Sequence, residues 1–304
     1  MGDHGMSIPD FQALMRPLLE LHADGQEHIN RDLVEALARQ LGLDEDQRRQ
    51  MLSSGRAKLF DNRVGWAKTY LVNAGLIESP RRAVSVITPR GQQVLSTHPG
   101  AIHLRFLSDL PDKPVKAASA TTNASGTSDN LGISPLEAVE NAHLQIRKEI
   151  EQSLLAKIAA NPPEFLERVV VDLIVKMGYG GNLKDAGEAI GRSGDEGIDG
   201  IIKEDPLGLD TIYLQAKRYE STIGRPDIQK FAGALQGQRA KKGIFITTSS
   251  YTKEAKEFVS KIDTKIILID GPMLAQLMYD HGVGVGVHTV YEIKRVDTDY
   301  FDDN

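Results

Sequence analysis

The chain has 304 residues, of which 40% are hydrophobic and 26% charged, an ordinary composition for a protein that buries a core. It has no cysteine, which excludes disulfides and cysteine nucleophiles. It also has no apolar stretch of the ~18–20 residues needed to cross a bilayer, which excludes a transmembrane helix, and we expect a cytoplasmic location. The formal net charge of -6, taken over the whole chain, gives no indication of a nucleic-acid partner.

The first hundred residues carry three helical patterns followed by a β-hairpin pattern. Apolar side chains recur at helical spacing over residues 11–19 and 33–41, and a third helix is expected over 61–74. Residues 76–87 contain two short apolar runs around a Ser-Pro-Arg-Arg turn, which predicts a hairpin with a basic tip. Helices followed by a hairpin are the order of elements in a winged helix-turn-helix domain, in which we expect Trp66 to lie in the core.

Basic residues are concentrated in one part of this region. Residues 48–90 contain nine Lys or Arg and two Asp or Glu, a net charge of +7 in a chain of negative net charge. Such a stretch is typical of a phosphate-binding face, although a solvated basic surface without a partner gives the same pattern. In a winged-helix domain one helix enters the major groove of DNA and the hairpin contacts the backbone. The expected DNA contacts on the third helix and the hairpin are Lys58, Arg63, Lys68, Arg81 and Arg82.

A change of composition separates this region from the rest of the chain. Residues 111–134 hold no aromatic and almost no large apolar side chain, which predicts a flexible linker. Ser134, Pro135 and Glu137 then form a capping-box pattern that begins a long helix. The expected domains are a winged-helix DNA-binding domain over 6–100, a flexible linker over 101–134 and a C-terminal domain over 135–304.

The C-terminal part alternates helical and strand patterns. A helix carries Glu167, and a glycine-rich loop over 191–197 leads to a strand that begins after Asp199. On the next strand Gln215 and Lys217 project from one face, about 7 Å apart along the strand. Helices and strands alternate after that point. A hairpin followed by helical crossovers predicts a mixed α/β sheet with helices on both faces.

Four side chains of this part suit metal-dependent hydrolysis. Asp199 offers a carboxylate oxygen and Gln215 a carbonyl oxygen, and both are ligands that Mg²⁺ accepts. Lys217 offers a cation near a developing charge, and Glu167 adds a carboxylate if its helix packs beside the sheet. Together they would support attack of water on a phosphodiester. By spacing alone the pattern is weak, because Asp199 capping a turn beside a solvated Lys217 would produce it too.

Several motifs occur in order along the chain and point to one family. They are LERVVVDLIVKMGYGG around Glu167, SGDEGIDGII around Asp199, YLQAKRY around Gln215 and Lys217, KGIFITTSSYTKEA, ILIDG and the N-terminal SSGRAKLFDNRVGWAKTYLVNAGLI. On these motifs the chain resembles the Mrr family of restriction endonucleases, within the PD-(D/E)XK nuclease superfamily, over residues 8–300 apart from the linker. The resemblance implies a PD-(D/E)XK nuclease-like C-terminal domain and the family's N-terminal winged helix. It also implies Mg²⁺-dependent, type IV-like cleavage of methylated double-stranded DNA in prokaryotic defence.

The resemblance also implies a role for each candidate residue. Asp199 and Gln215 would hold Mg²⁺, Glu167 would bind it directly or through water, and Lys217 would orient or deprotonate the attacking water. The superfamily's second acidic ligand is Gln215 here, as is usual for Mrr-like members, and the proline before the first Asp is Ile198. A neutral glutamine lowers the negative charge of the site, so Glu167 gains importance. The implied products carry 5′-phosphate and 3′-hydroxyl ends.

Two other functions stay open at this stage. One is a DNA-binding regulator whose nuclease-like domain is inactive, and the other is a junction or repair endonuclease with the same active site. For Asp195 and Glu196, before the first strand, capping of the loop is favoured over an outer contact to the metal. Because one site attacks one phosphodiester at a time, duplex cleavage favours a homodimer or higher homo-oligomer.

Overall fold

The computed structural model divides into two compact units. The first comprises Met1–Leu144 and Ile293–Asn304, and the second comprises Gln145–Glu292. Within the described part of the chain no helix is both long and apolar enough to span a membrane. The residues that the structure describes are 7–111, 132–180, 198–205 and 209–294.

The first unit contains helices and a small three-stranded sheet. Its elements up to residue 109 are α1 (Phe11–Leu21), β1 (His28–Ile29), α2 (Asn30–Gln40), α3 (Glu45–Arg49), α4 (Leu59–Asn73), β2 (Ile77–Glu78), β3 (Val84–Ile87), α5 (Pro89–Thr97) and α6 (Leu104–Asp109). The strand order is β1-β3-β2, and β3 is antiparallel to both neighbours. Helices α1, α2 and α4 followed by the β2–β3 hairpin give the order expected for a winged helix-turn-helix. The short helices α3, α5 and α6 are additions that the sequence did not predict.

Helices α1 and α4 supply the centre of the first core. Leu14 and Leu18 of α1 and Phe60 and Leu71 of α4 are buried there, because apolar residues recur three or four positions apart on each helix. Trp66 packs against this core, as expected, and is partly buried. Helix α4, which carries Arg63 and Lys68, is therefore held in place by its apolar face.

The first unit extends further along the chain than the sequence predicts. The linker was expected from residue 101, yet Ile102 is buried and α6 brings Leu107 into the same core. Residues 112–131 of the expected linker lie outside the described residues. Helix α7 (Pro135–Ala160) follows, and its residues up to Leu144 group with the first unit rather than with the second.

Within the described ranges the second unit is a four-stranded sheet with helices on both faces. After the remainder of α7, its elements are α8 (Pro163–Lys176), β4 (Gly200–Lys203), β5 (Thr211–Lys217), α9 (Arg225–Gly237), β6 (Lys242–Thr247), α10 (Lys253–Val259), β7 (Lys265–Ile269) and α11 (Gly271–Asp280). The strand order is β4-β5-β6-β7, with β4 antiparallel to β5 and the other pairs parallel. The predicted mixed sheet, a hairpin followed by helical crossovers, is confirmed.

The sheet separates two apolar cores. On one face Ile212 and Leu214 of β5 pack with α8 and α11. On the other face Tyr213 of β5 packs with α9 and α10. Because side chains alternate along a strand, Gln215 and Lys217 share the face of Tyr213. The fold therefore directs both polar side chains toward the side of α9.

Candidate active site and basic surface

Asp199 lies directly before β4 and is attached to β5. Its amide donates to the carbonyl oxygen of Leu214 at 2.8 Å, and its Oδ2 accepts a hydrogen bond from the amide of Ala216 at 2.7 Å. Gly200 pairs with Leu214, so one step back along the antiparallel register sets Asp199 opposite Gln215. The carboxylate is thus oriented by the backbone of the strand that carries the other two candidates.

Gln215 and Lys217 stand at the end of β5. Gln215 is buried, with 7% of its surface exposed. The Nζ atom of Lys217 donates to Oδ1 of Asp227 at 3.0 Å and lies 5.2 Å from the ring centroid of Tyr219. Burial alone would lower the pKa of Lys217, but the bond to Asp227 and the charge of that carboxylate raise it above its ordinary value. Lys217 is therefore held as an ammonium group.

Glu167 joins this site from α8, which packs against β5. Burial raises the pKa of Glu167, and the nearby charge of Asp199 raises it further. Burial also raises the pKa of Asp199, and neither the bond from Ala216 nor the charge of Lys217 cancels that effect. Each carboxylate lies in the field of another member of the set. The structure thus connects Glu167 to Asp199 by charge and Asp199 to β5 by hydrogen bonds, while α8 itself packs on the face of the sheet opposite to Gln215 and Lys217.

The donor set fits a hard divalent cation. Among the described residues no group of three or more His, Asp or Glu side chains is placed to hold a metal ion. The candidate site combines two carboxylates and one amide instead, and all three groups present the oxygen donors that Mg²⁺ prefers. Burial raises the pKa of both carboxylates, and the charge of Asp199 adds to the effect at Glu167, so a bound cation would stabilise their ionised forms. The loop with Asp195 and Glu196 lies outside the described residues.

Asp227 is a member of the site that the sequence did not reveal. It lies in the first turn of α9, where an acidic residue is ordinary because it compensates the helix dipole. Its contact with Lys217 depends on how α9 folds back over β5, which spacing along the chain does not specify. The only available signal was the short distance in sequence between the end of β5 and the start of the next helix.

The predicted DNA contacts differ in their surroundings. Lys58, Arg81 and Arg82 are exposed side chains of the first unit. Lys68 is half-buried on α4 and donates to Oδ1 of Asn30 at 2.5 Å, and burial lowers the pKa of its ammonium group. Three of the predicted contacts are thus accessible on the surface, and Lys68 is partly withdrawn from it.

Arg63 corrects one of these expectations. Its side chain is only 14% exposed and its Nη2 donates to Oε1 of Glu137, itself 7% exposed, at 2.8 Å. A second nitrogen donates to the carbonyl oxygens of Ile8 at 2.6 Å and Pro9 at 3.2 Å. Glu137 also accepts the amide of Ser134 at 3.0 Å. Arg63 is therefore paired within the first unit and is not the exposed basic side chain that the sequence led us to expect.

Comparison with known proteins identifies both units. A family model described as a restriction endonuclease matches residues 158–278, and the model of the Mrr N-terminal domain matches residues 11–97. The chain is 35% identical over 313 residues to the type IV methyl-directed restriction enzyme EcoKMrr of Escherichia coli (strain K12). That alignment covers 98% of this chain and 100% of the relative. The chain belongs to the Mrr family of restriction endonucleases.

In this Mrr-family protein the part matched by the restriction endonuclease model includes α8, β4 and β5, which carry the candidate site. The resemblance found in the sequence is confirmed for both domains. The solved structure of the MspJI restriction endonuclease in complex with a 27-mer oligonucleotide also matches, with 21% identity and a TM-score of 0.32 over 43% of this chain and 31% of that chain.

Proposed function

We propose that this Mrr-family protein is a Mg²⁺-dependent, type IV-like restriction endonuclease that hydrolyses phosphodiester bonds in methylated double-stranded DNA. The observation that carries the proposal is the oriented set at the ends of β4 and β5, where Asp199 is bonded to Ala216 and Lys217 to Asp227, inside a restriction endonuclease domain. Methylated DNA as the substrate is supported by the full-length relative, which is a methyl-directed restriction enzyme.

In the proposed mechanism Asp199, Gln215 and Glu167 hold the metal through oxygen atoms. Mg²⁺ at such a site polarises a phosphate oxygen and lowers the pKa of a bound water. Asp199 keeps its orientation through the hydrogen bond from Ala216, so little reorganisation is needed when the site is occupied. Because Gln215 is neutral, only two carboxylates balance the cation, and removal of either one takes away half of the negative charge.

Lys217 serves in this mechanism as a hydrogen-bond donor and a fixed positive charge. An ammonium group has three donors and no acceptor, so while Asp227 keeps it protonated it orients water or a phosphate oxygen rather than accepting a proton. This favours the orienting role over the base role, two alternatives that the sequence leaves open.

We also propose that the active form is a homodimer or higher homo-oligomer. A single site attends to one phosphodiester, whereas cleavage of a duplex needs attack on both strands. Sedimentation of the protein with and without duplex DNA measures this, and a monomer that cuts both strands would contradict it.

Plasmid cleavage tests the proposed function. Plasmid from methylating and non-methylating hosts is incubated with the purified protein in Mg²⁺ or in chelator, and we expect cutting of the methylated plasmid in Mg²⁺ alone. Lys217→Ala should bind DNA nearly as the wild type does and lose cleavage, whereas Lys230→Ala, a change at an exposed lysine of α9, should cut normally.

Other results of this experiment favour the competing functions. The absence of cutting under any condition would support a DNA-binding regulator. Cutting that ignores methylation but requires branched DNA would support a junction or repair endonuclease. Mg²⁺-dependent cutting by Lys217→Ala would refute the assignment of the site.

A further inference from the structure

The start of α7 covers one end of α4. The hydroxyl of Ser134 donates to Oδ1 of Asn62 at 2.6 Å, and Glu137 pairs with Arg63 on the same part of α4. In helix-turn-helix proteins the N-terminal residues of the recognition helix contact the base edges. Helix α4 holds that position here, because it directly precedes the hairpin. The contacts of α7 therefore lie on the part of the first unit that would approach DNA.

One turn further along α7, Glu140 is bound by the loop before α4. Its Oε2 accepts hydrogen bonds from the hydroxyl of Ser53 and the amide of Ser54, both at 3.0 Å. Its Oε1 accepts the hydroxyl of Ser54 at 2.6 Å. Burial alone would raise the pKa of Glu140, but these bonds and the charge of Arg56 lower it. Three donors and a guanidinium charge thus surround one carboxylate, and we name residues 53–56 the anion cradle.

The anion cradle has the chemistry of a DNA phosphate site. Hydroxyl groups, backbone amides and arginine are the groups that proteins use most for phosphate oxygens. Ser53, Ser54 and Arg56 are exposed, and the predicted DNA contact Lys58 follows two residues later and is exposed as well. A carboxylate and a phosphodiester both present negatively charged oxygens to such donors. The same groups that hold Glu140 can therefore hold a phosphate.

We propose that the anion cradle binds a backbone phosphate of DNA and that Glu140 occupies it as an autoinhibitory mimic of that phosphate. The inference rests on DNA binding by the first unit, which is part of the proposed function. DNA and Glu140 then compete for the donors of Ser53 and Ser54, so the acidic side chain reduces the affinity of the free protein for DNA. Discrimination against weakly bound DNA follows, because only a duplex that makes enough other contacts displaces Glu140.

Competition predicts that Glu140→Gln tightens DNA binding. With the full-length protein and a fluorescent duplex, we expect the Kd to fall on the order of threefold to tenfold at ~0.1 M salt, because a phosphate no longer displaces a charged group. Ser54→Ala in the Glu140→Gln background should reduce the gain, because the anion cradle loses the hydroxyl that makes its shortest bond and keeps the hydroxyl of Ser53 and the amide of Ser54. Glu140→Asp, whose shorter side chain withdraws the carboxylate from the cradle, should tighten binding in the same direction and serves if Glu140→Gln fails to fold.

The matched control is Glu149→Gln on the same helix. Glu149 is exposed and accepts a hydrogen bond from Gln145, so its change removes the same charge without touching the anion cradle. We expect its Kd to stay within about twofold of the wild type. An unchanged Kd for Glu140→Gln, or an equal gain in Glu149→Gln, would overturn the inference and leave DNA binding intact. Failure of both the wild type and Glu140→Gln to bind DNA would instead overturn the proposed function, and the inference with it.

Discussion

The ion pair between Arg63 and Glu137 gives a sharp prediction about stability. Arg63→Met keeps the aliphatic stem and removes the guanidinium group, which leaves the carboxylate of Glu137 buried without its cation and takes one donor from the carbonyls of Ile8 and Pro9. Removing one partner of a buried pair costs about 3–5 kcal/mol. Because the pair retains some solvent exposure, we expect the free energy of unfolding of the first unit to fall by about 3 kcal/mol.

The single tryptophan allows this to be measured in the intact protein. Trp66 is the one tryptophan of the chain and lies on α4, so its fluorescence in a urea titration reports the first unit. A loss of about 3 kcal/mol lowers the urea midpoint by roughly 1–2 M for a domain of this size. Arg49→Met, which breaks a pair with Glu45 whose side chains are 74% and 72% exposed, should cost less than about 0.5 kcal/mol.

The effect of Arg63→Met should depend on pH. Burial alone would raise the pKa of Glu137, but the bonds from Arg63 and Ser134 lower it below its ordinary value of 4.5. The stability supplied by the pair is therefore complete above pH 4.5 and is lost as pH falls through the pKa of the folded state. The difference between wild type and variant should shrink below that range. A midpoint for Arg63→Met equal to that of Arg49→Met at neutral pH would refute the packing of α7 on the first unit.

Three further predictions follow from single contacts. With Arg63 paired to Glu137, four of the five predicted basic contacts remain and the anion cradle adds one phosphate, so the slope of log affinity against log salt should be roughly -4 to -5 per protomer, and a slope shallower than about -2 would contradict this. Burial lowers the pKa of His22 below its ordinary value of 6.5, so the unfolded state binds a proton at a higher pH than the folded state does. The urea midpoint reported by Trp66 should therefore decrease as the pH is lowered from about 7.5 to about 5.5, and His22→Gln should remove this dependence. Asp227→Asn should slow single-turnover cleavage roughly tenfold to hundredfold with Kd unchanged, because it removes the charge that holds Lys217, the proposed water-orienting residue. Asp210→Asn, which loosens the pair with Lys242 near the start of β5, should have no effect.

Features that depend on near neighbours in the chain were predictable. The capping box at the start of α7 forms as the spacing predicts, with the amide of Glu137 bonded to the hydroxyl of Ser134 at 3.2 Å and the reverse bond at 3.0 Å. Alternation along β5 likewise predicted that Gln215 and Lys217 share a face. In both cases the geometry follows from the local backbone alone.

Features that depend on distant parts of the chain were not predictable. The net charge of +7 over residues 48–90 leaves out acidic partners from other parts of the chain. In the structure Arg63 pairs with Glu137, Arg81 with Glu27 and Arg48 with Glu35. The basic surface is consequently smaller than the sequence implies.

The candidate active site combines both cases. The types of its residues could be read from the motifs, and the family match supports that interpretation. The partner of Lys217 could not be read in this way, since Asp227 reaches it only through the packing of α9 on the sheet.

The most direct test of the account is single-turnover cleavage of a methylated duplex by Asp199→Asn in Mg²⁺. Asparagine keeps one carbonyl oxygen that can accept from Ala216 but removes the negative charge of a proposed metal ligand. We therefore predict a rate at least ~1000-fold below the wild type, equivalent to about 4 kcal/mol of lost transition-state stabilisation, with DNA affinity preserved. Asp263→Asn, at an exposed residue before β7, should cleave at the wild-type rate. A rate for Asp199→Asn within tenfold of the wild type would contradict the central claim that these residues form the nuclease site.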